Sequence, residues 1–383
     1  MGFFTAPRFA MGPGALEQLS ALEAQRPVVV LADRLTGVPR ARRIAEELAK
    51  RDVSVGEIEV PDGPPTPAAA EALAERLRER APDWIVVAGG GRTLDLARAA
   101  WVRWERPDLD LTGISPITEL RLRSKARFVA IPSTSGSGAE SSGTLHLLGD
   151  GGAPIRPCSR ELVPDWALLD PGFPLTLPGP ARADAAAIAL GHALESIVSS
   201  WTQPFSEALA RGALATLARV VPRAARHPED EELGGTVHGA AALAGLAAAN
   251  AQDGAAAALA GAIAPALGLS YGRCLGIVLP YVLEFNYPSA RDAYQSLGPL
   301  LGEGAIVHRT DLSMRIRSVL AAAGIPRTFA EAGVAGARLA GAHAGLAARA
   351  EAGGTALANP RIPSAEEWGK LLDAAYRGGS VAF

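Results

Sequence analysis

Two glycine-bearing stretches hold residues whose types and spacing suit binding chemistry. The first, Gly89-Gly90-Gly91-Arg92-Thr93-Leu94-Asp95, follows a short apolar run and opens a helical pattern. At such a junction, exposed backbone N–H groups and the helix dipole hold an anion, and a pyrophosphate is the natural guest. Three glycines also make an ordinary tight turn. Arg92 on the first helical turn is unfavourable by about 0.3–1 kcal/mol unless an anion offsets it. The second stretch, Ser133 to Glu140, sets four hydroxyls beside two glycines. It reads either as a loop that a phosphate or amide approaches closely or as a Ser-rich surface loop. Asp33 ends another apolar run, where a carboxylate accepts ribose hydroxyls and repels a 2′-phosphate. That favours NAD over NADP.

Other chemistry is sparse. Cys158 and Cys274 are too few for a disulfide framework and match no zinc spacing, so a reducing cytoplasm is expected. The 383 residues give room for two domains, and 48% hydrophobic with 20% charged residues is the composition of a folded chain. A net charge of −3, from 37 basic and 40 acidic residues, offers no footprint for nucleic acid. Met1 to Arg8 lacks the charged-then-apolar pattern of a secretion signal. Gly254 to Gly272 carries no charge, but its Ala and Gly content, Pro265 and missing basic or Trp belts point to packed core helices, not a membrane span.

The elements that must position these loops alternate. Pro27–Ala32, Val53–Val60, Trp84–Ala88 and Arg127–Pro132 read as strands. Between them lie helical patterns at about 39–51, at 66–80 with Thr66 as N-cap and Pro67 at the first position, and at 92–101. This rhythm predicts a parallel sheet with helices on both faces. The stretch 133–160 reads as loops. From about Pro178, Ala-rich helical patterns take over at 181–200, 205–219, 236–263 and 310–324. The expected partition is an α/β Rossmann-like domain over 1–176 and an all-helical domain over 177–383.

The chain as a whole resembles the iron-containing, or group III, alcohol dehydrogenases. The resemblance rests on Phe9 to Ala15, Ala32-Asp33, GGGRTLD (89–95), IPSTSGSGAE (131–140) and LVPDWALLDP (162–171). It continues through GHALES (191–196), RCLGIVLPYVLEFN (273–286), GIPRTFAEAGV (324–334) and Asn359-Pro360-Arg361. It implies a dinucleotide-binding domain, a helical domain, and a cleft between them for hydride transfer between a nicotinamide and a small alcohol or carbonyl. NAD(P) contacts fall on Asp33, Gly90, Gly91, Asp95, Thr134 and Ser137. Arg92 stands where the family has a serine, and Arg98 where it has a lysine. The resemblance also implies a homodimer.

The implied metal site is where the chain departs most. The family holds a divalent ion with one aspartate and three histidines, and those positions fall on Ile188, His192, Ala257 and Tyr271, with Gly261 in place of a further histidine near the nicotinamide. Ile and Ala offer no lone pair and a neutral phenol is a poor ligand, so no metal is expected. His146, His227, His238, His308 and His343 have no mutual spacing that suggests a replacement cluster. Without a Lewis acid, another proton donor is needed. His192, with an ordinary pKa of about 6.5, is better suited than Tyr271 at about 10. Alternatively, the two residues only pack.

Small residues at Gly261 and Ala257, with Ile188, suggest a pocket for a bulkier substrate. Arg273, with Arg156 or Arg160, is a candidate anion clamp. The leading expectation is a metal-independent NAD(P)-dependent oxidoreductase acting on a carbonyl or equivalent group of a small metabolite, an anionic one if Arg273 serves as a clamp. The alternatives are a lyase, dehydratase or cyclase using His192 and Tyr271 as acid and base, or a non-catalytic homologue.

Overall fold

Val28-Val29-Val30-Leu31 is too short and too β-branched to favour a helix, and it is buried on both faces, as a central parallel strand must be. The computed structural model describes residues 4–26, 28–33, 37–50, 54–149, 154–302, 304–352 and 354–383, with side chains at all of these but 37–39. Pro27, Val53 and the end of the 39–51 pattern, Arg51, lie outside the described residues. The chain divides into two compact units, Thr5–Leu177 and Pro178–Phe383, the second including Phe4.

The first unit runs β1 (Arg8–Met11), β2 (Val28–Ala32), α1 (Gly37–Ala49), β3 (Val55–Glu59), α2 (Pro67–Arg80), β4 (Trp84–Gly89), α3 (Gly91–Glu105), β5 (Arg127–Pro132), a short hairpin of β6 (Leu147–Leu148) and β7 (Pro154–Ile155), then β8 (Trp166–Leu169). Six strands form one parallel sheet in the order β1-β8-β5-β4-β2-β3. Alternation along each strand fills two cores. Val29, Leu31, Ile85 and Val87 pack with α2 and α3, whereas Val28, Val30, Trp84 and Val86 pack with Ile44 and Leu48 of α1. The Thr66 side chain accepts from Ala69 N at 3.1 Å, as a cap should. The strand pattern overlooks β1 and β8, because β1 is a four-residue edge strand whose alternation is mostly exposed.

The second unit is helical: α4 (Gly179–Val198), α5 (Pro204–Arg226), α6 (Glu231–Ala251), α7 (Ala255–Leu267), α8 (Tyr271–Gln295), α9 (Arg309–Ala322), α10 (Gly336–His343), α11 (Leu346–Ala352) and α12 (Ala365–Arg377). Its core is built on alanine, so helices approach closely. A Cβ on Gly272 would stand 2.3 Å from the Asp184 carbonyl oxygen, and one on Gly191 would stand 2.8 Å from Leu275. The uncharged Gly254–Gly272 stretch is mostly core, and no helix among the described residues is long and apolar enough to cross a membrane.

One expected helix is wrong. The 236–263 pattern is not continuous but breaks at Gln252-Asp253-Gly254, where Gln252 takes φ 66° and its N–H donates to Ala248 O. Periodicity carries across the break because alanine satisfies a helical pattern on every face.

Candidate active site

In the first unit, Gly90 caps α3 without a side-chain bond, so the first-turn amides have no intrahelical partners. The loop after β5 lies against this turn. A Cβ on Gly91 would meet Ser137 Cβ at 2.7 Å, so glycine there admits Ser137 this close, and one on Gly90 would press on Thr134 Cγ2 at 3.1 Å. Ser133, at the end of β5, is 2% exposed, and its hydroxyl has no hydrogen-bond partner among the described residues. A buried hydroxyl without a partner costs free energy that a bound polar ligand recovers.

The charged residues expected at the cofactor are engaged within the fold. Asp33 Oδ2 accepts from Thr93 Oγ1 at 2.7 Å and from Gly90 N at 3.3 Å, so this carboxylate fixes the β4–α3 turn. Asp95 is buried, its Oδ1 2.5 Å from Arg98 Nη2 and its Oδ2 accepting from His146 N at 3.0 Å. Burial raises its pKa, but the hydrogen bond from the His146 ring and the charge of Arg98 outweigh that and hold it below the usual carboxylate range. Arg98 also donates to the carbonyls of Ser142, Thr144 and Leu162, tying the hydroxyl-rich segment to α3. Arg92 turns to the carbonyls of Pro61 and Gly63, at 2.9 and 2.8 Å.

In the helical unit, Ile188, His192 and Glu195 follow one another at helical spacing along α4, and α7 and α8 pack beside it. His192 is 8% exposed, and its Nδ1 lies 2.7 Å from Asp253 Oδ1. Asp253 sits in the break between α6 and α7. Glu195 accepts from the α7 amides of Ala256 at 2.7 Å and Ala257 at 3.3 Å. Burial first, and the Asp253 charge second, push the Glu195 carboxyl up to about 8, against the pull of the Gly254, Ala256 and Ala257 amides. A Cβ on Gly254 would stand 2.9 Å from Glu195 Oε1 and 2.6 Å from Asn359 Oδ1, so the turn closes around both side chains. Asn359 accepts from Ala255 N at 3.1 Å and pairs with Asn286. These contacts hold Asp253 against His192.

Tyr271 opens α8, half-buried against the helical core with Ile188. Ala257 is buried in the first turn of α7 and Gly261 stands one turn further on. Arg273, the candidate anion clamp, is engaged within the helical unit. Its Nε is 2.8 Å from Asp184 Oδ1, and its Nη1 donates to Gly324 O at 2.9 Å. The guanidinium is already neutralised and ties α8 to α4. The positions where the resemblance puts metal ligands supply one imidazole, one phenol and two aliphatic side chains, which do not fit a divalent ion. Among the described residues, no group of three or more His, Cys, Asp and Glu could hold one.

Two family models match the chain: "Iron-containing alcohol dehydrogenase" over residues 6–171 and "Fe-containing alcohol dehydrogenase family, C-terminal" over 183–376. The chain belongs to the iron-containing alcohol dehydrogenase family. It is similar to an NADPH-dependent butanol dehydrogenase of Clostridium saccharobutylicum, at 28% identity over 99% of each chain. An alcohol dehydrogenase of Thermococcus barophilus is 34% identical over 61% of this chain and 62% of that one. The solved iron-containing alcohol dehydrogenase of Thermococcus thioreducens superposes with a TM-score of 0.89, at 28% identity, covering 99% of this chain and 100% of that one.

Within this family member, sequence reasoning overlooked Asp253 and Glu195 as site residues. A signal for the first was present, because Asp-Gly inside an Ala-rich run is a turn signature. Glu195 lies in the GHALES block, but its contacts are with the α7 amides, which only the break exposes.

Proposed function

We propose that this chain is an NAD(P)-dependent oxidoreductase that reduces a carbonyl, or an equivalent C=N or C=C group, of a small metabolite without a metal ion. His192 handles the proton. The His192–Asp253 contact at 2.7 Å carries the reading. The names of the relatives support the redox class, and the donor set at Ile188, His192, Ala257 and Tyr271 supports the absence of a metal.

When bound, a reduced nicotinamide supplies the hydride. The α3 first-turn amides, Thr134, Ser137 and the unpartnered Ser133 hydroxyl are the groups that would hold the cofactor's phosphates. Asp33 and Arg98 keep that turn and its neighbouring loop in place. In the helical unit, Asp253 accepts from His192 Nδ1–H, which fixes the orientation and tautomer of the ring. Asp253 would also stabilise the imidazolium, so that His192 is the residue to donate a proton to the developing alkoxide and take one back in the oxidative direction. Tyr271 is the second candidate donor.

The deciding experiment titrates metal-analysed, metal-free protein with NADH and with NADPH, reading heat release or tryptophan quenching. Saturable binding of either is expected, and comparing the two tests the NAD preference suggested by Asp33. No binding at millimolar cofactor would overturn the redox reading and favour a lyase or cyclase using the same His192.

A further inference from the structure

A cavity of about 540 Å³ opens in the helical unit between α8, α9 and the segments 325–327 and 378–380. Its α8 lining starts at Gly276, five positions after Tyr271, which is about 140° round the helix. It therefore uses another face of α8 from the one Tyr271 occupies.

Most of the lining is apolar, including Pro280, Met314 and Ile325, and the polar groups concentrate at one arginine. The Arg317 guanidinium stacks on the Tyr281 ring, 4.0 Å from its centroid, which fixes its plane. Nη1 is buried with no hydrogen-bond partner among the described residues. Nη2 is 3.6 Å from Glu284 Oε1, beyond hydrogen-bond length. Glu284 is instead held by other donors, the Ser313 hydroxyl at 2.6 Å and Val381 N at 3.0 Å. With the exposed Arg327 also lining the cavity, two guanidinium groups face one carboxylate. The balance suits a single negative charge.

We propose that this cavity is a second binding site, separate from the His192 site, for a monocarboxylate with an apolar body. The carboxylate would pair with the Arg317 guanidinium, and the carbon chain would lie along Pro280, Met314 and Ile325. A guanidinium already oriented by stacking loses little freedom on binding a carboxylate, which favours this acid over a neutral analogue.

The test is calorimetric titration of the full chain, without nicotinamide, using hexanoate and hexan-1-ol as probes. Hexanoate should bind saturably and hexan-1-ol about tenfold more weakly or worse. Arg317→Met should weaken hexanoate by about tenfold or more, while His192→Gln should leave it unchanged. Gly379→Leu provides a second variant. Gly379 lines the cavity, and a Cβ there meets nothing within 4 Å, so the new side chain enters open space and should also weaken binding. Absence of saturation, equal affinity for the alcohol, or affinity unchanged in both Arg317→Met and Gly379→Leu would overturn the proposal. So would loss of binding in His192→Gln alone, which would put hexanoate in the active site. None of these outcomes depends on whether the nicotinamide titration succeeds.

Discussion

The glycine-rich turn of the first unit and the helix break of the second are both built by carboxylates that accept backbone N–H groups, yet they differ in what is left over. At the turn, Asp33 binds Gly90 and Thr93, Asp95 pairs with Arg98, and Arg92 binds two carbonyls. The charged groups are structural, and what faces a ligand is amide and hydroxyl. At the break, Glu195 satisfies the α7 amides, which leaves Asp253 to bind a titratable ring. The same device therefore braces a glycine turn in one unit and sets a carboxylate against an imidazole in the other.

The sharpest way to break that contrast is Asp253→Asn. On the proposed mechanism it should cut kcat for carbonyl reduction by about 10²–10⁴-fold, close to the effect of His192→Gln. KM and cofactor affinity should change little, and the pH–rate limb assigned to His192 should move. Unchanged kcat and pH profile would return His192 to a packing role.

Arg98→Met tests the structural half. It leaves Asp95 buried without its cation and should cost about 3–5 kcal/mol in urea unfolding. Loss of nicotinamide binding at full stability would instead make Arg98 a ligand contact.

Gly91→Ala sharpens the comparison at the cradle, since the new Cβ meets Ser137 at 2.7 Å. It should destabilise by about 1–3 kcal/mol and weaken cofactor binding, measured by thermal unfolding and titration. The same substitution at Gly254 should lower kcat instead, by displacing Glu195.

Within the helical unit, two buried groups should give opposite pH dependences. Glu195 ionises near 8 in the fold against an ordinary 4.5, so the folded state holds its proton longer. Its contribution is fully present below 4.5 and is lost as pH rises toward 8. His238, buried in α6, runs the other way, with burial lowering it from 6.5 to about 4. Its contribution is present above 6.5 and is lost as pH falls toward 4. Glu195→Gln should flatten the decline in unfolding free energy between pH 4.5 and about 8, and a slope unchanged in that variant would mean the carboxyl is already ionised at neutral pH. The smallest effect expected is Thr66→Ala, about 1 kcal/mol from the loss of one helix cap.

Strands such as Trp84–Ala88 were legible because a β-branched run between turn residues has few other ways to bury itself. The cofactor loops were legible because glycine and hydroxyl residues sit at strand ends. The roles of Asp33 and Arg273 were not. Each reads as a free charge in one dimension, and each is engaged by a partner distant in sequence, Asp33 by a hydrogen bond from Thr93 and Arg273 by an ion pair with Asp184.

The sequence by itself determined the alternation that makes a parallel sheet, the all-helical second half, and the loss of aspartate and histidine from the positions that the family resemblance marks as metal ligands. Those follow from residue type and local period. Only the tertiary structure decided what His192 does. Its partner lies 61 residues away in a break that alanine periodicity conceals, and a hydrogen bond of 2.7 Å depends on how three helices pack.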